Sequence, residues 1–380
     1  MMYSLPKDWK SVKLKEILTP IYEKVGDRTL ETLSISAGIG FVNQAEKFGR
    51  ELSGSQYENY IVLRRGNFSF NKGNSKRYPF GCIYQLKERE IAAVPNVFFS
   101  FRLNKQCNEY FEQLFINGCL NHQLSMLINT GIRNDGLFNL YERDFYNCFI
   151  PLPPLPEQKA IAEILTTADN LITAKQHLIT AKQKQKQWFM QNLLTGKIRL
   201  PGFSGEWERV KLGEGIFLQR GYDLPKIEMN RGEYPVIASN GIIGYHDKFT
   251  SDAPSITVGR SGSVGNVFFT NKRSWTHNTA LYVKQLTNVY PYYAYYLLSF
   301  LKLEKYAGKS AVPTLNRNDV HSIDNDLPPL PEQQAIAKVL TTADREIELL
   351  SKELEQQKRL KKYLMQQLLT GKIRVKGVKK

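Results

Sequence analysis

An internal repeat constrains this chain more than any other feature of its sequence. The segment LPPLPEQKAIAEILTTAD (Leu152–Asp169) returns as LPPLPEQQAIAKVLTTAD (Leu327–Asp344), and MQNLLTGKIR (Met190–Arg199) returns as MQQLLTGKIR (Met365–Arg374). Both pairs stand 175 positions apart, and 25 of the 47 residues from 153 to 199 are identical to their counterparts. A match of this length at a single offset indicates a tandem duplication.

The repeat extends upstream of these segments. Asp144 matches Asp319 at the same offset, and the opening WKSVKLKEI at Trp9 resembles WERVKLGEGI at Trp207, here 198 positions later. The chain therefore reads as module, helix, module, helix, with the first module 23 residues longer than the second. Because the ends are repeated and the interiors differ, we expect one scaffold to carry two modules with different tasks.

The repeated segments predict two long helices. Pro156 and Glu157 suit the first turn of a helix, where the proline lacks only an unused N–H and the dipole favours a carboxylate. Gly196 suits a position just past the helix end. The second copy has the same residues in the same places, so each helix has about 40 residues and a length of roughly 60 Å.

Both helices carry a heptad pattern, which predicts that they pack as an antiparallel coiled coil. The apolar residues expected at the interface between helices or with a partner are Ile161, Leu165, Ile172 and Ile179 in the first copy, and Ile336, Leu340, Ile347, Leu350 and Leu354 in the second. Several heptad positions are polar instead, namely Lys175, Lys182, Lys186, Gln357 and Lys361. Register control, a face for DNA or a partner, and a splayed section of the coil are all consistent with these polar positions.

The predicted fold class is α+β, with two mixed α/β modules separated by two long antiparallel coiled-coil helices in a pseudo-two-fold tandem repeat. The expected boundaries are 1–152 for the first module, 153–199 for the first long helix, 200–326 for the second module, 327–375 for the second long helix and 376–380 for a basic tail. Within the modules, strand-like runs cover 60–70, 93–103, 254–260 and 264–270. Two aromatic helices, at 108–118 and 290–301, are expected to belong to the core because helical spacing of aromatic residues indicates burial.

The charge balance favours a polyanionic partner. The chain has 52 Lys and Arg against 36 Asp and Glu, a net charge of +16, which points to nucleic acid or an anionic membrane. The sequence has no apolar run of about 18 residues and no apolar stretch typical of a signal peptide, so we expect a soluble, cytoplasmic protein without a membrane partner. Four separate cysteines and five scattered histidines make a metal site improbable.

The most informative loop is GRSGSVG (residues 259–265), which lies between two predicted strands. Glycines there allow a ligand to approach the backbone and leave N–H groups available for a phosphate. Arg260 adds a guanidinium suited to phosphate or to the major-groove edge of guanine. A surface turn without function is the alternative for this loop and for the similar polar loop NKGNSKRYPFG (residues 71–81). The candidate DNA-binding residues are Arg260, Ser261, Ser263, Lys272, Arg273, Arg220 and Asn240 in the second module, and Lys72, Asn74, Lys76 and Arg77 in the first.

No catalytic motif is found, whether a glycine-rich nucleotide loop, an adenine-methylating motif or a spaced Ser/His/Asp set. Asp144 with Glu157 and Lys159 faintly resembles a metal-dependent nuclease pattern. However, the second copy has Gln334 in place of Lys159, and a carboxylate in the first turn of a helix explains Glu157. We therefore predict no catalytic residue and no bound metal.

The repeated PLPEQ helix starts, the two LLTGKIR termini, the two Trp-x-x-Val-Lys-Leu openings and GRSGSVGNV (residues 259–267) resemble the DNA-specificity subunits of type I restriction–modification systems. The resemblance covers essentially the whole chain. It implies that each module reads one half of a split target in double-stranded DNA, while the helices set the spacing and dock two modification (methyltransferase) subunits.

The same resemblance implies that the chain is not an enzyme and binds no cofactor. S-adenosylmethionine is expected on the modification subunits, and ATP with Mg on restriction (endonuclease and translocase) subunits that join the complex. Two alternatives are a stand-alone DNA-binding or architectural protein without methyltransferase partners, and a nuclease or methyltransferase with a degenerate site.

Overall fold

The computed structural model describes residues 5–50, 54–73, 78–128, 139–229, 232–308 and 313–375. The predicted basic tail at 376–380 lies outside these ranges. The chain divides into two units. Unit 1 combines residues 1–174 with 354–380, and unit 2 comprises residues 175–353.

The first module lies in unit 1 and is built from short strands and helices. In chain order these are β1 (Lys10–Lys13), α1 (Leu14–Ile17), β2 (Leu18–Pro20), β3 (Leu33–Ser36), β4 (Gly40–Asn43), α2 (Gln44–Phe48), β5 (Ile61–Arg64), β6 (Phe68–Asn71), β7 (Cys82–Gln85), β8 (Ile91–Val94), β9 (Phe99–Leu103), α3 (Asn108–Ile116), α4 (Asn121–Leu127), α5 (Glu142–Tyr146) and β10 (Phe149–Leu152). Its largest sheet has the order β2-β9-β6-β7, with antiparallel neighbours. β1 pairs antiparallel with β10, so the start and end of the module meet.

The first long helix, α6 (Leu155–Leu193), follows and leads into the second module, which lies in unit 2. Its elements are β11 (Glu208–Lys211), α7 (Leu212–Gly215), β12 (Ile216–Arg220), β13 (Tyr234–Ala238), β14 (Gly241–His246), β15 (Ser255–Gly259), β16 (Val267–Thr270), β17 (Trp275–Thr276), β18 (Ala280–Leu286), α8 (Pro291–Phe300), α9 (Arg317–His321) and β19 (Asp324–Leu327). The second long helix, α10 (Leu330–Leu368), comes last. The largest sheet has the order β12-β18-β15-β16, and β11 pairs with β19.

The two modules have the same sheet topology, although their interior sequences differ. In both largest sheets the strand that comes first in the chain lies beside the one that comes last. The last strand also lies beside the second, and the second forms a hairpin with the third. β6 and β7 of the first module thus correspond to β15 and β16 of the second. A loop in one module can therefore be compared with the loop at the same place in the other.

Two of the predicted strand runs each cover parts of two strands. The run at 60–70 is interrupted by a turn at Gly66, whose φ of 88° suits glycine. The run at 93–103 is interrupted after Val94, where a proline follows. The aromatic helices belong to the core as predicted, since Tyr110 and Phe111 of α3 and Tyr293 of α8 are fully buried.

The heptad positions of each long helix form a stripe along it, the heptad stripe, which faces inward. Ile161, Leu165, Ile336 and Leu340 are fully buried, and the remaining heptad positions are at least partly buried while most of their neighbours are exposed. Burial at the heptad spacing is what coiled-coil packing predicts, and both predicted long helices are present. No helix in the described parts of the chain is both long enough and apolar enough to cross a membrane.

Ion pairs account for the lysines in this stripe. In unit 2 three lysines of α6 pair with acidic residues of α10: Lys175 with Glu353, Lys182 with Glu346 and Lys186 with Asp344. The numbers rise along one helix as they fall along the other, so the two segments run antiparallel. In unit 1 Lys361 pairs with Asp169 at 2.6 Å. Of the three interpretations left open by the sequence, register control is the one these pairs favour.

The two aspartates also tie each module to its helix pair. Asp169 accepts a hydrogen bond from Gln113 of α3 at 2.8 Å, and Asp344 accepts one from the Tyr296 hydroxyl of α8 at 2.7 Å. Each carboxylate therefore holds a lysine with one oxygen and a module side chain with the other. Asp169 and Asp344 are repeat counterparts, so the same connection is made twice.

A further set of contacts joins the ends of the repeated helical segments within each unit. In unit 1 the buried Glu157 accepts hydrogen bonds from Trp9 at 2.9 Å and from Arg374 at 2.6 and 2.7 Å. In unit 2 the buried Glu332 accepts them in the same way: from Trp207 at 3.1 Å and from Arg199 at 2.6 Å twice. Bidentate arginine–carboxylate pairs of this kind are strong and geometrically specific. The repeated Trp, Glu and Arg residues thus serve the fold itself.

Candidate nucleic-acid interface

The glycine loop of the second module connects β15 to β16 in a conformation that only glycine allows. A Cβ atom on Gly259 would lie 2.1 Å from the Ser263 carbonyl oxygen, and one on Gly265 would lie 2.8 Å from the Glu304 backbone nitrogen. Gly262 and Gly265 have φ angles of 81° and 84°. The loop is therefore a tight turn held against the rest of the module, as its glycines require.

The prediction that this loop leaves its backbone N–H groups available to a phosphate is wrong for four of them. The N–H of Gly259 donates to Asn266, that of Gly265 donates to Gly259, and those of Arg260 and Ser261 both donate to Thr279. Amides that already have partners inside the protein are not available to an anion. These hydrogen bonds instead fix the backbone from which the Arg260 side chain extends.

Arg260 lies in an open cleft of about 820 Å³ with two further arginines. The cleft is lined by Gln219, Arg220, Gly221, Tyr222, Asp223, Arg260, Leu281, Thr314, Asn316 and Arg317. Three elements meet here, because Arg220 ends β12, Arg260 follows β15 and Arg317 begins α9. A backbone hydrogen bond of 2.8 Å from Leu315 to Arg260 joins the loop to the segment that carries Arg317.

The electrostatics of this cleft favour an anionic or acceptor-rich partner. Burial and the neighbouring Arg220 charge lower the pKa of Arg260, although a guanidinium stays charged at neutral pH. The carboxylate in the lining, Asp223, already accepts a hydrogen bond from Asn278. Arginine forks match both phosphate oxygens and the N7 and O6 atoms of guanine, so the geometry suits a DNA groove edge.

The other predicted residues of the second module divide into two groups. Ser261 and Ser263 lie on the same hairpin as Arg260, and exposed Asn240 follows Ser239, whose carbonyl oxygen lies close to Gly259. Lys272 and Arg273 lie beyond the far end of β16, and Arg273 is occupied by Asp252 at 3.1 Å and by the ring of Phe249. The structure therefore does not bring Lys272 and Arg273 to the arginine cleft.

The polar loop of the first module, between β6 and β7, occupies the same position in its sheet as the glycine loop. Asn74, Lys76 and Arg77 lie outside the described residues. Lys72 is only 9% exposed, and its ammonium lies 4.5 Å from the centre of the Phe99 ring. Its charge is directed into the module, so the structure does not place Lys72 on a DNA-facing surface.

Sequence reasoning missed Arg317 as a member of the arginine cleft. It stands next to no glycine motif and looks like an ordinary helix residue. The signal that could have found it is the repeat itself, because the matched pair Asp144 and Asp319 places α5 and α9 at one repeat position. Residues that begin such matched helices yet differ between copies, as Glu142 and Arg317 do, are candidates for different recognition tasks.

The faint nuclease pattern has a structural explanation. Glu157 is occupied by Trp9 and Arg374, which leaves it without the open oxygen positions that a metal would need. Among the described residues, no three His, Cys, Asp or Glu side chains are grouped as metal ligands.

A second feature of the surface recurs with the repeat. In three pairs of repeat counterparts in the helical segments, both members are large apolar side chains that are between 39% and 50% exposed. The pairs are Leu155 with Leu330, Trp188 with Tyr363, and Ile198 with Ile373. Apolar side chains are therefore left exposed at the same positions in both copies of the repeat.

Comparison with known proteins shows which of them this chain is similar to. A family model described as type I restriction modification DNA specificity domain matches residues 6–182 and 204–359. The putative type I restriction enzyme MjaX specificity subunit of Methanocaldococcus jannaschii is 28% identical over 418 residues, which covers 98% of this chain and 95% of that protein. The type I restriction enzyme MjaVIII specificity subunit of the same organism is 27% identical over 330 residues, covering 72% of this chain and 73% of that protein.

A solved structure supports the fold. The crystal structure of a type I restriction–modification system S subunit from M. genitalium matches with a TM-score of 0.63 at 15% identity, and the match covers 96% of this chain and 98% of that one. The predicted fold class of two α/β modules with long helices is confirmed, as is the resemblance to type I specificity subunits. Since the family model matches both copies of the repeat, the chain belongs to the type I restriction modification DNA specificity domain family.

Proposed function

We propose that this chain is the DNA-binding specificity subunit of a type I restriction–modification complex, and that each module reads one half of a bipartite target in double-stranded DNA. One observation carries the proposal: the two modules have the same sheet order but present different side chains at the matching edge. A shared scaffold with divergent contact residues is what two independent readers of sequence require. Base-edge contacts then supply specificity, and Lys and Arg contacts to phosphate supply salt-dependent affinity.

The proposed domain assignment keeps the boundaries expected from the sequence. Residues 1–152 and 200–326 are the target-recognition domains, 153–199 and 327–375 are the conserved helical segments, and 376–380 form a basic tail. In the second domain the DNA-facing residues are Arg220, Arg260 and Arg317, with Ser261, Ser263 and Asn240 beside them. The cleft that these residues share supports this assignment.

The helices are proposed to set the spacing between the two halves of the target. Each is 39 residues long, which corresponds to roughly 60 Å of continuous helix. The lysine–carboxylate pairs of the heptad stripe support this role because they oppose a shift in register, which would separate several pairs at once.

The helices are also proposed to dock two modification subunits, one on each copy of the exposed apolar set. Unit 1 carries Leu155, Tyr363 and Ile373, while unit 2 carries Leu330, Trp188 and Ile198. Aromatic residues within an apolar patch are the usual anchors of protein interfaces. Two equivalent sets fit two copies of one partner.

The remaining chemistry belongs to the partners in this proposal. The modification subunits supply S-adenosylmethionine and methylate the target, restriction subunits use ATP and Mg, and the assembly acts in the cytoplasm, where the DNA is. The net charge of +16 supports a DNA partner.

Long-read methylation mapping of the source cells, with and without this gene, tests the proposal. A bipartite methylated motif that disappears with the gene supports it. An unchanged methylation pattern, together with purification of the chain as a lone monomer on DNA, would instead identify a stand-alone DNA-binding protein. Cutting or methylation of DNA by the purified chain alone would identify an enzyme.

A further inference from the structure

We infer that the first module reads its half of the target through a face formed by Tyr22, Tyr141 and Glu142, and that this face recognises an exocyclic amino group on a base of duplex DNA. The inference rests on the proposed function. In the first module a carboxylate and two tyrosines stand where the second module has arginines.

Topology locates this face. Tyr222 of the arginine cleft lies two residues beyond β12, and Tyr22 lies two residues beyond the corresponding strand β2. Asn316 and Arg317 of the cleft are the cap and first residue of α9, and Tyr141 and Glu142 are the cap and first residue of α5. Tyr222, Asn316 and Arg317 of the cleft therefore each have a counterpart in this face.

Direct contact confirms that the counterparts lie together. The Tyr22 hydroxyl donates a hydrogen bond to Oε1 of Glu142 at 3.1 Å, across 120 positions of sequence. Burial and the Glu142 carboxylate raise the pKa of Tyr22, which keeps the hydroxyl protonated as the donor. The second module's arginine cleft and this tyrosine–glutamate face thus occupy the same edge of the same fold.

The exposure of these residues makes them available to a partner. Tyr22 is 64% exposed and Tyr141 is 67% exposed, whereas Tyr60, Tyr84 and Tyr110 of the same module are buried. An exposed tyrosine offers an apolar ring face that can pack against a base pair and a hydroxyl that can hydrogen-bond.

The carboxylate indicates which ligand group is read. No described Lys or Arg forms an ion pair with Glu142, in contrast to Glu23 nearby, whose pKa is lowered to about 2 by hydrogen bonds from Arg64 and Arg28. An unpaired carboxylate at a DNA-facing edge repels phosphate but accepts a hydrogen bond from a base amino group, as Glu does from N4 of cytosine. Tyr22 and Tyr141 then pack beside the base pair.

Selection from randomised DNA duplexes tests the inference, using the full chain in complex with its native modification subunits. Glu142→Gln keeps the shape and an acceptor for Tyr22 but adds a competing amide donor. We expect it to change the preferred base at one position in one half of the motif and to weaken binding to the original motif about 5- to 150-fold. Tyr141→Ala should weaken the same half. Glu58→Gln, an exposed substitution elsewhere on the module, is the matched control and should change nothing.

The second half of the motif reports folding within the same experiment, because a folded variant retains it. Unchanged preference in both halves for Glu142→Gln and Tyr141→Ala overturns the inference while leaving the proposed function intact. Equal weakening on all sequences also overturns it, since that result indicates a backbone contact. If the unmodified complex selects no bipartite motif, the proposed function fails, and the inference fails with it.

Discussion

The repeated glutamine of the PLPEQ segment offers a sharp test of how each unit is held together. Gln333 is 1% exposed and makes three hydrogen bonds with backbone groups. Its side-chain oxygen accepts from the N–H of Tyr290 at 2.8 Å, and its amide donates to the carbonyls of Asn288 at 3.0 Å and Pro328 at 2.9 Å. Gln158 in unit 1 likewise accepts from the backbone N–H of Cys107 and donates to the Pro153 carbonyl, but its second donated hydrogen bond goes to the side-chain oxygen of Gln106. The glutamine thus holds the start of α8 to the start of α10.

Gln333→Glu preserves volume and the acceptor but removes both donated hydrogen bonds when the new carboxyl is ionised. The buried carbonyl of Pro328 then lacks a partner, at about 1–3 kcal/mol, whereas the carbonyl of the exposed Asn288 can turn to water. The free energy of unfolding of unit 2 should therefore fall by about 1–3 kcal/mol, and its thermal midpoint should fall by roughly 2–12 °C for a unit of this size. Gln158→Glu should have a similar effect in unit 1.

Urea and thermal unfolding of the full chain, followed by circular dichroism and tryptophan fluorescence, measure these changes. Gln334→Glu is the matched control, because residue 334 is exposed and adjacent; it should change stability by less than about 0.5 kcal/mol. If Gln333→Glu and Gln158→Glu are as stable as the control yet lose their partner subunits, the glutamines serve docking and the structural reasoning is refuted.

Three further predictions follow from the surface and the core. Arg260→Ala should weaken binding to one half of the target by about 1–3 kcal/mol if Arg260 contacts a base; in a competition assay, equal weakening on every sequence would show a phosphate contact instead. Trp188→Ser and Tyr363→Ser should each remove one of two modification subunits, so mass measurement of the complex should show a 1:1 assembly, and retention of both would contradict the docking proposal. Burial raises the pKa of Cys82 and of Cys148 to about 11, so few of these thiols are ionised near pH 8. Iodoacetamide should therefore label them slowly in the folded chain and rapidly in urea, and rapid labelling of the folded chain would refute their burial.

The long helices could be predicted from sequence because their signals are local and redundant. The heptad spacing, the proline and glutamate at the start and the glycine at the end all agree, and Gly196 and Gly371 have the expected positive φ of 66° and 71°. The purpose of the repeated polar residues could not be predicted. Glu157 and Arg374 are far apart in sequence, and only the antiparallel packing brings them together.

The modules were harder to predict because their strands are short and their contacts non-local. A turn at Gly66 divides a run that reads as one strand. The glycine loop was located correctly, yet two of its amides donate to Thr279, which the sequence does not place nearby. Lys72 reads as a surface lysine, but an aromatic ring near it in the fold draws its charge inward.

We propose that one chain reads two separate stretches of DNA. The sharpest test is to measure how each single base-pair substitution across the methylated motif changes binding of the chain with its native modification subunits. We expect two clusters of sensitive base pairs separated by an insensitive gap, with Arg260→Ala reducing sensitivity in one cluster alone. A single continuous cluster, or sensitivity in both halves lost together, would contradict it.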